Sequence, residues 1–105
     1  MIRIEAIIES IRSDKIRITD HADEEAYNDR LSFNEILPSI SAGEVIEQYT
    51  EDKPYPSCLI LSKSAKDEPI HTVWAYNSET RSSALITVYR PDPKVWIDGK
   101  IRRRS

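Results

Sequence analysis

The sequence predicts an α+β domain, with N-terminal helices packed on one face of a single antiparallel sheet of about four strands. Three observations predict it. Apolar residues recur at helical spacing up to about residue 43 and at alternate positions beyond it. Polar residues suited to helix caps precede the helical stretches. Clusters rich in proline, aspartate and serine cut the second half into short extended runs.

Ile4, Ile7, Ile8 and Ile11 fall at i, i+3, i+4 and i+7, which predicts an amphipathic helix over about residues 2–13. Ser13-Asp14-Lys15 ends it, and Ile16-Arg17-Ile18-Thr19 is a short extended piece. Thr19 or Asp20 then caps a second helix over about residues 21–30, whose acidic first turn (Asp23, Glu24, Glu25) suits the helix dipole. Ser32-Phe33-Asn34-Glu35 has the form of a capping box, and Phe33, Ile36, Leu37 and Ile40 continue it as a third helix stopped by Gly43. Pro38 removes one backbone hydrogen bond, so a kink or an early end is expected.

From Glu44 the alternation is that of strands. Glu44–Tyr49 is the first, with Val45, Glu47 and Tyr49 expected on one face. Asp52–Pro56 is a rigid loop, Cys58–Lys63 a central strand apolar on both sides, and Ile70–Tyr76 and Ala84–Tyr89 two more strands joined as a hairpin. Arg90-Pro91-Asp92-Pro93 ends the pairing, because proline has no N–H for the ladder. Trp96 is expected to dock the tail. Residues 1–105 read as one domain, with a core over about 2–98 and a basic tail over 99–105.

Composition narrows the function. Cys58 is the one cysteine, so neither an internal disulfide nor a cysteine metal site is expected, and an apolar run makes it a small buried hydrophobe. No apolar run is long enough to span a membrane and the N-terminus is too charged for a signal peptide, which predicts a soluble cytoplasmic protein. The net charge of −3 conceals a division: residues 1–52 carry 5 Lys/Arg and 13 Asp/Glu, residues 53–105 carry 10 and 5. Such asymmetry marks a nucleic-acid surface on one side and a partner surface on the other, or acids that merely solvate helices. With two glycines, Gly43 and Gly99, there is no glycine-rich phosphate loop. Two histidines without a cysteine cluster predict no metal site, and no cofactor motif is present.

What remains is a set of polar residues within or at the ends of apolar strands. His71 shares a strand face with Val73 and Ala75, while Trp74 and Tyr76 take the other. Tyr89 and Arg90 end the last strand, and His21 begins a helix. Metal-free RNA cleavage needs a base for the 2′-OH, an acid for the leaving oxygen and a cation on the phosphate. Histidine, tyrosine and arginine fill those roles, and aromatic faces beside basic side chains hold single-stranded bases.

The order Ile18-Thr19-Asp20-His21-Ala22, Ser32-Phe33-Asn34-Glu35-Ile36 and Gly43-Glu44-Val45-Ile46-Glu47 resembles the bacterial domain-of-unknown-function family numbered 4258. Pro54–Leu59, Pro69–Trp74 and Ile86–Asp92 extend the likeness, which covers about residues 16–98. The resemblance implies a fold similar to that of the RelE/ParE toxins, and genes of this kind often neighbour an antitoxin gene, frequently one with a zinc-finger domain. It implies a type II toxin that cleaves mRNA without a metal, with His71, Tyr89, Arg90 and His21 as its active-site residues. The chain departs from those toxins in its acidic N-terminal half and acidic second helix. Lys94, Lys100, Arg102, Arg103 and Arg104 are expected on an RNA-facing side, with the acidic helices opposite. The alternative is a non-catalytic protein- or RNA-binding module of the same fold. Acids of the second helix lining one cleft with His71 and Arg90 would favour that alternative.

Overall fold

The computed structural model describes residues 1–103. Its elements are α1 (Ile4–Arg12), β1 (Ile16–Ile18), α2 (Asp20–Asn28), α3 (Phe33–Ser39) with a 3-10 turn (Ile40–Ala42), β2 (Glu44–Tyr49), β3 (Ser57–Lys63), β4 (Pro69–Asn77), β5 (Ser82–Tyr89), β6 (Trp96–Ile97) and β7 (Ile101–Arg102). No helix among the described residues is long and apolar enough to cross a membrane.

Local physics accounts for most of these bounds. Thr19 caps α2, its hydroxyl accepting from the Ala22 N–H at 3.1 Å. The same hydroxyl lies 3.0 Å from the Leu85 carbonyl, which ties the start of α2 to β5. Asp14, with φ at 56°, turns the chain out of α1. Pro38 leaves α3 short, and the chain tightens into the 3-10 turn after Ser39. The capping box is a correction: among the described residues the Ser32 side chain makes no cap hydrogen bond, and its backbone carbonyl accepts from the Glu35 and Ile36 N–H groups instead.

The sheet differs from the expectation. It is not a single antiparallel sheet of about four strands but a five-stranded mixed sheet, in the order β1-β5-β4-β3-β2, with a separate two-stranded sheet of β6 and β7. The α+β class stands. β2 to β5 form the antiparallel meander, and β1 lies parallel to β5 at the edge, Arg17 opposite Ala84. α2 and α3 carry the chain from β1 to the far edge, so β5 returns alongside β1 in the same direction. β1 has three residues and its partner lies at the other end of the chain, so nothing local announces the pairing.

The helices pack on one face of the sheet. Ile7, Ala22, Ala26, Ile36 and Ile40 meet Cys58, Ile60, Ile70, Trp74, Leu85 and Val88 in one buried cluster. Burial of Cys58 agrees with its reading as a small hydrophobe. Trp74 is satisfied inside the cluster, its indole N–H donating to the Thr72 hydroxyl at 2.9 Å. Two register shifts decide what faces the other way. One, between Val45 and Glu47, leaves Val45 on the helix side and turns Glu47 and Tyr49 to the opposite face, so these three do not share a face as expected. The other, opposite Val73 and Trp74, puts Thr87 and Tyr89 on the face of Val73 and His71.

Candidate functional site

The helix-free face of the sheet has a covered upper part and an open lower part. His71 stands in the covered part, fully buried, opposite Tyr89 on β5 and Leu61 on β3. The segment after the Pro91 break folds back over it as the β6–β7 hairpin, with Trp96 buried, as expected for a docking residue. His71 Nε2 is 2.6 Å from the Gly99 carbonyl oxygen, and Nδ1 is 3.2 Å from the Tyr89 hydroxyl. A carbonyl only accepts, so Nε2 carries the proton and Nδ1 accepts from Tyr89. Trp96 meets the imidazole edge to face, with ring centres 4.5 Å apart. Burial holds the His71 pKa below its ordinary value, opposed by the Gly99 carbonyl and by the charge of Glu47. Burial also raises the Tyr89 hydroxyl.

Beside this recess the tail is fastened by charge. Arg102 is bidentate to Glu47, with Nε to Oε2 at 2.8 Å and Nη2 to Oε1 at 3.1 Å. Its guanidinium carbon lies 4.6 Å from the centre of the Trp96 ring. The Tyr49 hydroxyl donates to the same carboxylate. Arg102 accordingly holds the Glu47 carboxyl below the usual range. Burial, with the Glu47 hydrogen bond, pushes Tyr49 up to about 12. Lys100 pairs with Glu44 at 3.2 Å.

The open part is a trough of about 520 Å³ along β1, β5 and β4. Ala75 and Ala84, directly paired, belong to its lining, which extends to Lys15 and Arg17 on one side and Pro54 and Tyr55 on the other. Arg17 makes no ion pair among the described residues. Just above, along the same edge of β5, His21 Nε2 lies 2.9 Å from Glu25 Oε1. The Thr87 hydroxyl donates to that oxygen too. His21 and Glu25 are one helical turn apart on α2, and Thr19 fixes the start of that helix against Leu85 and Ile86. The His21 side chain is 65% exposed and that of Glu25 31%, so the imidazole reaches solvent while its carboxylate is partly shielded.

The sequence-predicted site residues therefore separate. His71 and Tyr89 are brought together but sealed. His21 belongs to the open edge of α2 and β5. Arg90 faces neither: its backbone N–H and Nε bond the carboxylate and carbonyl of Asp29, and its Nη1 is 3.7 Å from Glu68. His71 and Arg90 thus share no cleft, and of the acids on α2 Glu25 reaches the helix-free face while Asp23 and Glu24 are exposed. The tail is not a free basic strip. Lys100 and Arg102 pair with acids of β2, Arg103 Nε donates to the Pro93 carbonyl at 2.8 Å, and Lys94 is exposed. Arg104 lies outside the described residues. Part of the charge division is thus neutralised internally, first-half acids meeting second-half cations. Sequence reasoning passed over Arg17, Glu25, Tyr55, Thr87, Glu47 and Tyr49. The His21–Glu25 spacing was a usable signal; the others needed the pairing register.

Fold and site together define a small α+β protein whose polar side chains gather on the helix-free face of a mixed sheet. Residues 18–90 match the family described as a domain of unknown function (DUF4258), and the chain belongs to that family. No curated protein and no solved structure matches the chain.

Proposed function

We propose that this protein acts on single-stranded RNA as the toxin of a toxin–antitoxin pair, cleaving it without a metal ion. The observation that supports this reading is the line of groups along the outer edge of β5: Arg17, then His21 held by Glu25, then Thr87 on the same carboxylate. The trough beside them carries Tyr55 on its far side. In this reading a base stacks on Tyr55 and Arg17 contacts the phosphate. Glu25 fixes one nitrogen of the His21 ring, and the other takes the proton of the 2′-OH. The 2′ oxygen bonds to phosphorus as the bond to the 5′ oxygen breaks, and that oxygen takes a proton from water. The products are a 2′,3′-cyclic phosphate and a 5′-hydroxyl. His71 acts at one remove, since both its nitrogens are engaged; it holds the Tyr89 hydroxyl at the head of the face.

A second reading has its own support. Glu25 brings negative charge to this face, and two tail cations are spent on Glu44 and Glu47. A module that binds RNA or protein without cutting fits those facts. Expression of the chain without any partner distinguishes the two. Growth arrest with mRNA breakdown, abolished by His21→Ala, supports the nuclease. Normal growth and intact mRNA at verified soluble expression contradict it, and toxicity that survives His21→Ala favours binding.

A further inference from the structure

The tail hairpin is joined to the rest of the molecule differently from every other strand. Among the described residues β6 and β7 pair with each other and with no strand of the main sheet. The contacts that hold them down include the Trp96 ring against His71, the Gly99 carbonyl on His71 Nε2, Gly99 packed close to Pro69 and Leu61, and two ion pairs to β2, Arg102–Glu47 and Lys100–Glu44. Both ion pairs are partly exposed, with the Arg102 side chain 55% and the Lys100 side chain 52% accessible. Leu59 and Trp96 are buried here yet stand outside the main cluster beneath the helices. The hairpin closes a second, smaller core of its own.

What lies beneath it is not ordinary core. His71, Tyr89, Glu47 and Tyr49, from three strands, form a polar recess whose occupants are the chain's own carbonyl, guanidinium and indole. Here two of the four polar groups, His71 and Glu47, bond a group of the tail directly, and the Tyr89 and Tyr49 hydroxyls bond those two in turn. The outer side of the hairpin leaves Ile97 and Ile101 partly exposed.

From this geometry we infer that residues 91–103 are a displaceable strap, latched by Arg102 on Glu47, and that its lifting opens the recess of His71 and Tyr89 onto the trough. The latch is bidentate and backed by Trp96, so the closed state dominates; breaking it releases the strap without loosening the main sheet, which shares no ladder with it. The inference does not depend on RNA being the substrate, since it concerns which face the molecule can present.

The full-length chain tests it, labelled with 5-fluorotryptophan and with nitrogen-15. Trp74, inside the main cluster, is the internal control for Trp96. In Arg102→Ala the exchange of the His71 Nε2 proton with water should quicken at least tenfold, and the Trp96 fluorine signal should move toward its solvent-exposed position. The Trp74 signal and the amide exchange of Ile60, Thr72 and Val88 should stay as in the unmodified chain. The charge exchange Glu47→Arg with Arg102→Glu should restore slow His71 exchange. If the core amides loosen in step with the strap, the hairpin is part of one cooperative core and the inference fails. It fails equally if Arg102→Ala leaves the His71 proton and Trp96 unchanged.

Discussion

His71 on β4 donates its Nε2 proton to the carbonyl of Gly99, 28 residues further along the chain, at 2.6 Å. This bond settles the protonation of a buried imidazole and, through Nδ1, the orientation of the Tyr89 hydroxyl. It also makes the tail part of the environment that sets the chemistry of the sheet face.

The first prediction is a pH dependence of stability. The folded-state pKa of His71 lies below its unfolded value, because burial disfavours the imidazolium. Below the ordinary pKa of about 6.5 the unfolded chain binds a proton that the folded chain refuses, so this contribution is fully present above that pH and is lost as pH falls toward the lowered folded value. Urea unfolding should show stability declining from pH 7.5 to pH 5. His71→Gln should be less stable at pH 7.5 by about 2 kcal/mol and should lack most of that decline. A flat profile in the unmodified chain would contradict the placement of His71.

Gly99 has φ at 71°, a left-handed conformation, and a Cβ there would stand 3.0 Å from the Pro69 Cβ. Gly99→Ala should therefore cost about 1–2 kcal/mol, from the backbone conformation and the crowding together. The midpoint of urea unfolding measures it.

Cys58 is fully buried in β3, and its thiol is pushed up to about 12 by desolvation. Iodoacetamide at pH 8 should modify it no faster than the protein unfolds. Labelling at the rate of a free thiol under native conditions would show that β3 is not where the structure puts it.

If RNA occupies the trough, Lys15 and Arg17 are the cations that meet its backbone. The affinity for a short single-stranded RNA should fall with salt, and Arg17→Ala should flatten the logarithmic slope by about 0.7 for one lost phosphate contact. Arg102→Ala, by contrast, should change the slope little, because that guanidinium is already bound to Glu47. An unchanged slope in Arg17→Ala would move the RNA elsewhere on the surface.

What could be read from the sequence was what is decided locally. Ile7 and Ile11 announce the inward stripe of α1, Thr19 announces the cap of α2, and the alternation about His71 places Trp74 and Tyr76 on the helix side. What could not be read was decided at a distance. A three-residue β1 finds its partner in β5 by tertiary contact, and a single extra residue in β2 turns Glu47 to the face opposite Val45. His71 and Tyr89 stand opposite each other because they pair at the same end of β4 and β5. That the tail would cover them, and that Arg90 would turn to Asp29, depended on where Pro91 sent the chain. The His21–Glu25 pair is legible as one turn of helix, although an acidic first turn reads equally well as a match to the helix dipole.

In the proposed reaction His21, held by Glu25 on the open edge of the sheet face, performs the proton transfer of metal-free RNA cleavage. The direct measurement is the cleavage rate of a short single-stranded RNA by the purified chain in the presence of a chelator, with the product ends identified by mass. Expected are 2′,3′-cyclic phosphate and 5′-hydroxyl ends, a rate that falls at least about 100-fold in His21→Ala, and no cut at a nucleotide whose 2′-OH is replaced by hydrogen. Intact RNA with the folded, unmodified chain would contradict the proposed role of His21, as would cleavage that proceeds unchanged in His21→Ala.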